Sequence, residues 1–112
     1  MYVDYPIFKK AMELNVYVEN RVRDFSKFHK YSIGEELRQK CRELLYAIYK
    51  TYYTQEKREA ITTVRNCVEE VKIVLMLAKE LQALNSFKHY EVCSLLCYEL
   101  AKQAQGWLGS LK

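Results

Sequence analysis

The chain has 112 residues, half of them apolar, with three glycines and one proline. That length suits one domain with a real core, and so little Gly and Pro excludes long loops and a turn-rich β architecture. Lys and Arg outnumber Asp and Glu 18 to 14, a formal charge of +4 that is modest as a nucleic-acid signature. No basic segment followed by an apolar run opens the chain. The longest strongly apolar run, Ile73 to Ala78, is far short of the roughly 20 residues that span a bilayer. The expectation is a soluble cytoplasmic protein without a membrane partner.

Pro6 marks the first helix, because proline is tolerated in a first turn where its missing amide would be unpaired anyway. Ile7, Ala11, Leu14, Val18, Val22 and Phe25 then recur every three or four residues, one stripe of an amphipathic helix from about Tyr5 to Phe25. Residues 26–32 read as a link whose Phe28 and Tyr31 close the end of the core. Ser32 followed three residues on by Glu35 is a capping-box pattern, which starts the second helix at Ile33. Its stripe is Ile33, Leu37, Cys41, Leu44, Ile48 and Tyr52, ending near Tyr53. Gly34 is a weak point there, since glycine costs about 1 kcal/mol against alanine in a helix interior and less near an end.

Thr54 is the expected cap of the third helix, which carries Ile61, Val64, Val68, Val71, Leu75, Ala78 and Gln82 on one stripe. Ala60, Cys67, Val74 and Leu81 form a second stripe beside it. Around Ile73 to Ala78 the helix is apolar on every side, so cover by another subunit is expected. Asn85 and Ser86 supply the next cap, and Phe87, Tyr90, Cys93, Cys97, Leu100, Ala104, Trp107 and Leu111 form the last stripe. Gly106 and Gly109 imply either a close backbone approach or a frayed end that lets Trp107 dock. Short links make sequential helices antiparallel neighbours, so residues 1–112 are expected to form a single all-α domain, an up-down-up-down antiparallel four-helix bundle.

No catalytic constellation, metal site or cofactor motif is present. Cys41, Cys67, Cys93 and Cys97 lack the CxxC spacing of a zinc or redox site and read as buried reduced thiols. His29 and His89 have no ligand partner at short spacing. The pairs Glu35-Glu36 and Glu69-Glu70 diverge by about 100° on a helix, and the Glu-x-x-His of a bundle di-iron site is missing. Helical ion pairs such as Glu36 with Lys40 and Arg65 with Glu69 are expected for such carboxylates. The chain is read as a non-enzyme.

What remains is charge interleaved with rings. Arg21, Arg23, Lys27, Lys30, Arg38, Lys40 and Arg42 face only Asp24, Glu35 and Glu36 within residues 20–42, so the whole formal charge sits in that window. Lys27, Phe28, His29, Lys30 and Tyr31 alternate cation and ring, and Tyr46, Tyr49, Lys50, Tyr52 and Tyr53 crowd the far end of the second helix. Cations neutralise phosphates with counterion release, and tyrosines stack on unpaired bases, which points to RNA or another nucleic acid.

Three stretches carry a resemblance: Tyr31-Ser-Ile-Gly-Glu-Glu-Leu opening the second helix, Val71-Lys-Ile-Val-Leu-Met-Leu-Ala-Lys-Glu-Leu in the third, and Ala101-Lys-Gln-Ala-Gln-Gly-Trp-Leu-Gly-Ser-Leu at the end. Together they resemble the four-helix bundle proteins related to those encoded in 23S rRNA intervening sequences. Within that group the chain is most similar to the accessory variability determinants of diversity-generating retroelements. The resemblance implies a basic homopentameric barrel that binds the element's reverse transcriptase and its template RNA and supports mutagenic cDNA synthesis without being an enzyme. It also implies basic residues about one turn apart on the third helix, a role that falls to Lys72 and Lys79, whereas Met76 stands where a second arginine is common. The intervening-sequence branch, with the same fold and an unsettled role, and a purely structural self-assembling bundle are the alternatives.

Overall fold

The computed structural model describes residues 4–111. Pro6 sits in the first turn of α1 (Pro6–Arg23), whose Ile7, Ala11, Leu14, Val18 and Val22 are buried. Helix α1 ends at Arg23, two residues before the expected boundary, where the Asp24 amide turns back to Arg21 O at 3.0 Å. Phe25 is buried nonetheless. The link is not irregular: residues Lys27–Lys30 form α2, a single turn capped by Ser26, whose Oγ accepts from the His29 amide at 3.5 Å.

Helix α3 (Ile33–Thr51) buries Ile33, Leu37, Cys41, Leu44 and Ile48, the stripe expected from the spacing. Its start differs in chemistry. Ser32 makes no cap with the α3 amides and instead donates its hydroxyl to Phe28 O at 2.7 Å, while Glu35 reaches Arg38 Nη1 at 3.1 Å. The preceding turn of α2 ends in an orphan carbonyl that Ser32 satisfies, and a carboxylate gains more from a guanidinium than from a neutral amide. Gly34 is a requirement of the junction rather than a weak point. A Cβ there would lie 2.8 Å from Val22 Cγ1 and 2.9 Å from His29 O.

Helix α4 (Lys57–Glu80) buries Ile61, Val64, Val68, Val71, Val74, Leu75 and Ala78. Its N-cap is Glu56 rather than Thr54, whose Oγ1 accepts from the Glu56 amide at 3.1 Å and so holds the loop before the helix. Gln82 is not on the buried stripe: it is exposed, beyond the helix end, at φ 60°. The Ala83 amide bonds Ala78 O at 2.9 Å and the Gln82 amide bonds Lys79 O at 3.0 Å. That pair of bonds is a Schellman ending, with glutamine in the left-handed position that usually belongs to glycine.

Ser86 caps α5 (Phe87–Ser110) as expected, its Oγ accepting from the His89 amide at 3.4 Å, while Asn85 Nδ2 donates to Asp24 O at 3.3 Å and ties the loop to the end of α1. Phe87, placed on the buried stripe by its spacing, is exposed. Gly106 and Gly109 have open space beside them and lie within regular helix, so they mark neither a close approach nor a frayed end. Trp107 docks all the same, stacked on Tyr52 with ring centroids 6.2 Å apart.

The four long helices form an antiparallel up-down-up-down bundle. Contacts join α1 with α3, α3 with α4, α4 with α5 and α5 back to α1. Opposed directions follow from the pairs: Lys10 meets Glu99 and Arg21 meets His89 across α1 and α5, while Arg65 meets Gln105 and Lys79 meets Tyr90 across α4 and α5. Asn15 staples α1 to α3 by donating to both Ala11 O and Cys41 O at 2.9 Å. Phe28 and Tyr31 do not close the core, being 78% and 71% exposed; Phe25, Ile33 and Ala83 are buried at that end instead. Among the described residues no helix is long and apolar enough to cross a membrane.

Candidate nucleic-acid and partner surface

The nine cations expected at a binding surface fall into three environments. Arg38, Lys40, Arg42, Lys72 and Lys79 are ion-paired within the chain. Glu19 on α1 takes both Arg38, at 3.1 Å, and Arg42. Lys40 lies 3.0 Å from Glu70 on α4 and 3.5 Å from Glu43, Lys72 lies 2.8 Å from Glu69, and Lys79 lies 3.7 Å from Glu80 and over the Tyr90 ring. Donating to Glu19 raises the Arg38 pKa further, and donating to Glu70 raises that of Lys40.

Arg21 occupies the second environment. Its Nη1 donates to His89 Nε2 at 3.0 Å and its guanidinium covers the Tyr17 ring at 5.1 Å. A guanidinium has no acceptor, so the imidazole nitrogen facing it must accept.

Arg23, Lys27 and Lys30 form the third. Among the described residues none has a carboxylate within 4.0 Å. All three lie on the last turn of α1 or on α2, beside the exposed Phe28 and Tyr31. Cations at a helix C-terminus also favour the helix dipole, so Arg23 has a local role in ending α1. The sequence window of +4 is therefore not one patch in space. Glu19, Glu43 and Glu70, all outside it, offset its α3 half, and its unpaired positive charge is concentrated at the α1–α2 corner.

The helical pairs Glu36–Lys40 and Arg65–Glu69 do not form. Lys40 bridges to Glu70 across α3 and α4, and Arg65 donates to Gln105 at 3.0 Å across α4 and α5. Glu19, Glu70 and His89 carry no local sequence signal for these partnerships, because each partner lies on another helix.

The tyrosine cluster divides. Tyr52 packs inward between Tyr5, 5.1 Å away, and Trp107. Tyr46, Tyr49 and Tyr53 are exposed along a groove between α3 and α4, with Tyr49 and Tyr53 rings 5.0 Å apart. At 1.5 Å per residue, Tyr46 stands roughly 20 Å along α3 from Ile33, toward the opposite end of the bundle from the cationic corner.

On α4, Ile73, Met76 and Leu77 are exposed, followed by Leu81 at its end, and α5 adds Leu95 and Tyr98. The all-round apolar run is thus a buried inner face plus an uncovered outer one. The cysteines are all free thiols, with Cys41, Cys93 and Cys97 buried and Cys67 half-buried; burial pushes Cys93 and Cys97 up to about 12. No group of three or more metal-ligating side chains occurs among the described residues. Comparison with family models, with curated proteins and with solved structures returned no match, so any functional reading stands on the residues of this chain.

Proposed function

We propose that this chain is a non-enzymatic, oligomeric binding bundle that engages RNA and a reverse transcriptase, as the accessory protein of a diversity-generating retroelement. The observation that carries the nucleic-acid part is the α1–α2 corner, where Arg23, Lys27 and Lys30 lack carboxylate partners beside exposed Phe28 and Tyr31. Unpaired cations neutralise phosphate without first giving up an internal ion pair, and adjacent rings stack on splayed bases. Arg21, Arg38, Lys40, Arg42, Lys72 and Lys79 extend the surface only where a ligand displaces their present partners.

The test is RNA binding across a salt series. Replacing Arg23, Lys27 and Lys30 together with glutamine weakens binding and flattens the plot of log affinity against log salt by about two to three, at 0.7 to 0.9 per phosphate contact. Affinity indifferent to salt, or a triple variant with the parent's slope, refutes the reading. Co-purification of a reverse transcriptase from a cell that encodes one tests the second partner.

A purely self-assembling bundle is the second reading, favoured by the exposed Ile73, Met76 and Leu77 of α4. Both readings require assembly, and a pentamer is the state the family resemblance implies. Native mass measurement that finds only the 13.4 kDa monomer overturns the assembly in either.

A further inference from the structure

We propose that the groove between α3 and α4 binds a small organic cation with an alkylated ammonium head. The groove is open to solvent along its length and offers about 770 Å³, within the range of roughly 300 to 1,000 Å³ typical of small-molecule sites. Tyr46, Tyr49 and Tyr53 line it, and all three rings are exposed, Tyr46 and Tyr53 by 61% and 66%. The Tyr49 and Tyr53 rings lie 5.0 Å apart at a 50° tilt, and together with Tyr46 they give the groove an aromatic wall.

The charge of the walls runs against that of the chain. Glu43, Glu56 and Glu59 line the groove against one cation, Lys50, in a protein of net charge +4. Glu43 is held by Lys40 and by Gln39. Glu56 and Glu59 have no cationic partner among the described residues, and Lys57, between them in sequence, donates its ammonium to Thr51 O. Against Lys50 these two carboxylates leave the groove a net charge of about −1, which favours a positive ligand and disfavours a phosphate-bearing one.

The alkyl groups follow from hydration. A primary ammonium is strongly hydrated and gives up much on leaving water, whereas a weakly hydrated cation spends less and gains the ring attraction when desolvated. Methyl groups also fill the apolar wall supplied by Ala47, Ala60 and the half-buried Cys67. This site is independent of the nucleic-acid reading, since the cationic corner lies toward the other end of α3.

Choline and tetramethylammonium serve as probes in a titration followed by amide and ring chemical shifts of the intact protein. A neutral isostere of choline, 3,3-dimethylbutan-1-ol, and inorganic phosphate are the controls. Both cations give saturable shifts centred on Tyr46, Tyr49 and Tyr53, and the isostere binds at least tenfold more weakly. Tyr46→Leu and Glu59→Gln, both at exposed positions, each weaken choline at least fivefold without moving the thermal midpoint. The proposal is overturned by an isostere as tight as choline, by phosphate shifting the same signals, by variants that bind like the parent, or by cation shifts that fail to saturate at millimolar concentration.

Discussion

Replacing Gly34 with alanine tests the account of the α1–α3 junction, because propensity and packing predict opposite signs. Gly34 is the second residue of α3. Alanine there gains up to roughly 0.5 to 1 kcal/mol of helix propensity, toward the low end so near a terminus. Against it, the new methyl stands 2.8 Å from Val22 Cγ1, 2.9 Å from His29 O and 3.2 Å from Phe25 Cδ2. Optimal carbon contacts are about 3.5 to 4.0 Å, so the neighbours must withdraw by more than half an ångström. Neither of the closest two gives easily. Val22 is 2% exposed and stiff at χ1, and His29 O is backbone, fixed by the Ser32 amide at 3.3 Å. Overpacking of this kind costs about 1 to 3 kcal/mol, which leaves a net loss of roughly 0.5 to 2.5 kcal/mol, centred near 1.5, after the propensity gain. The thermal midpoint should fall by roughly 5 to 10 °C, read by circular dichroism with urea unfolding as a second measure. A variant as stable as the parent, or more so, would falsify the claim that glycine is needed for close approach.

The other end of α4 gives the converse result. Gln82→Gly relieves a left-handed residue at φ 60° in a Schellman ending and should raise stability by about 0.5 to 1 kcal/mol, so a lower thermal midpoint speaks against that geometry. Glu19→Gln frees Arg42 and leaves Arg38 still paired with Glu35. Since exposed ion pairs contribute little, unfolding should move by no more than about 1 kcal/mol while the salt slope of RNA binding steepens by up to roughly one, and an unchanged slope removes Arg42 from the surface. For the thiols, Cys67 should react first with a disulfide reagent in native protein and Cys93 and Cys97 only on opening. Burial raises both from an ordinary value near 9 to about 12. A raised folded value means that stability is intact below about pH 9 and is lost as pH climbs toward 12, because the unfolded thiols release protons first. A urea midpoint that holds steady through that interval contradicts the burial.

The helical core was legible because apolar residues repeated with the helical period. Ile7 to Val22, Ile33 to Ile48 and Ile61 to Ala78 are buried in the registers their spacing predicts, and short links then leave few ways to arrange four helices. The joints were not legible. Ser32 and Glu35 have the right spacing for a box, but a single turn of helix just before them offered a carbonyl, and Arg38 offered a charge. Phe28 and Tyr31 were misplaced for the same reason, since a link that coils into α2 turns its rings outward. Long-range charge was beyond reach as well. Nothing around Glu19 announces that its partners lie on a helix beginning at Ile33.

That blindness to charge in space matters most for the aromatic clusters, which look alike in sequence, rings beside Lys, and differ in their surroundings. Phe28 and Tyr31 sit among unpaired cations, whereas Tyr46, Tyr49 and Tyr53 share a groove with Glu43, Glu56 and Glu59. A nucleic-acid strand laid along α3 would pass from attraction to repulsion within about 20 Å, a distance beyond one Debye length at physiological salt. Stacking should therefore be confined to the α1–α2 corner. Phe28→Ala, at a position 78% exposed, should cost RNA affinity about fivefold or more, since one base–ring stack contributes roughly 1 to 3 kcal/mol. Tyr46→Leu should leave RNA affinity unchanged and weaken only the alkylated ammonium. Equal losses of RNA from the two variants would mean that the strand runs the length of α3, and that the groove carboxylates do not set the boundary argued for them.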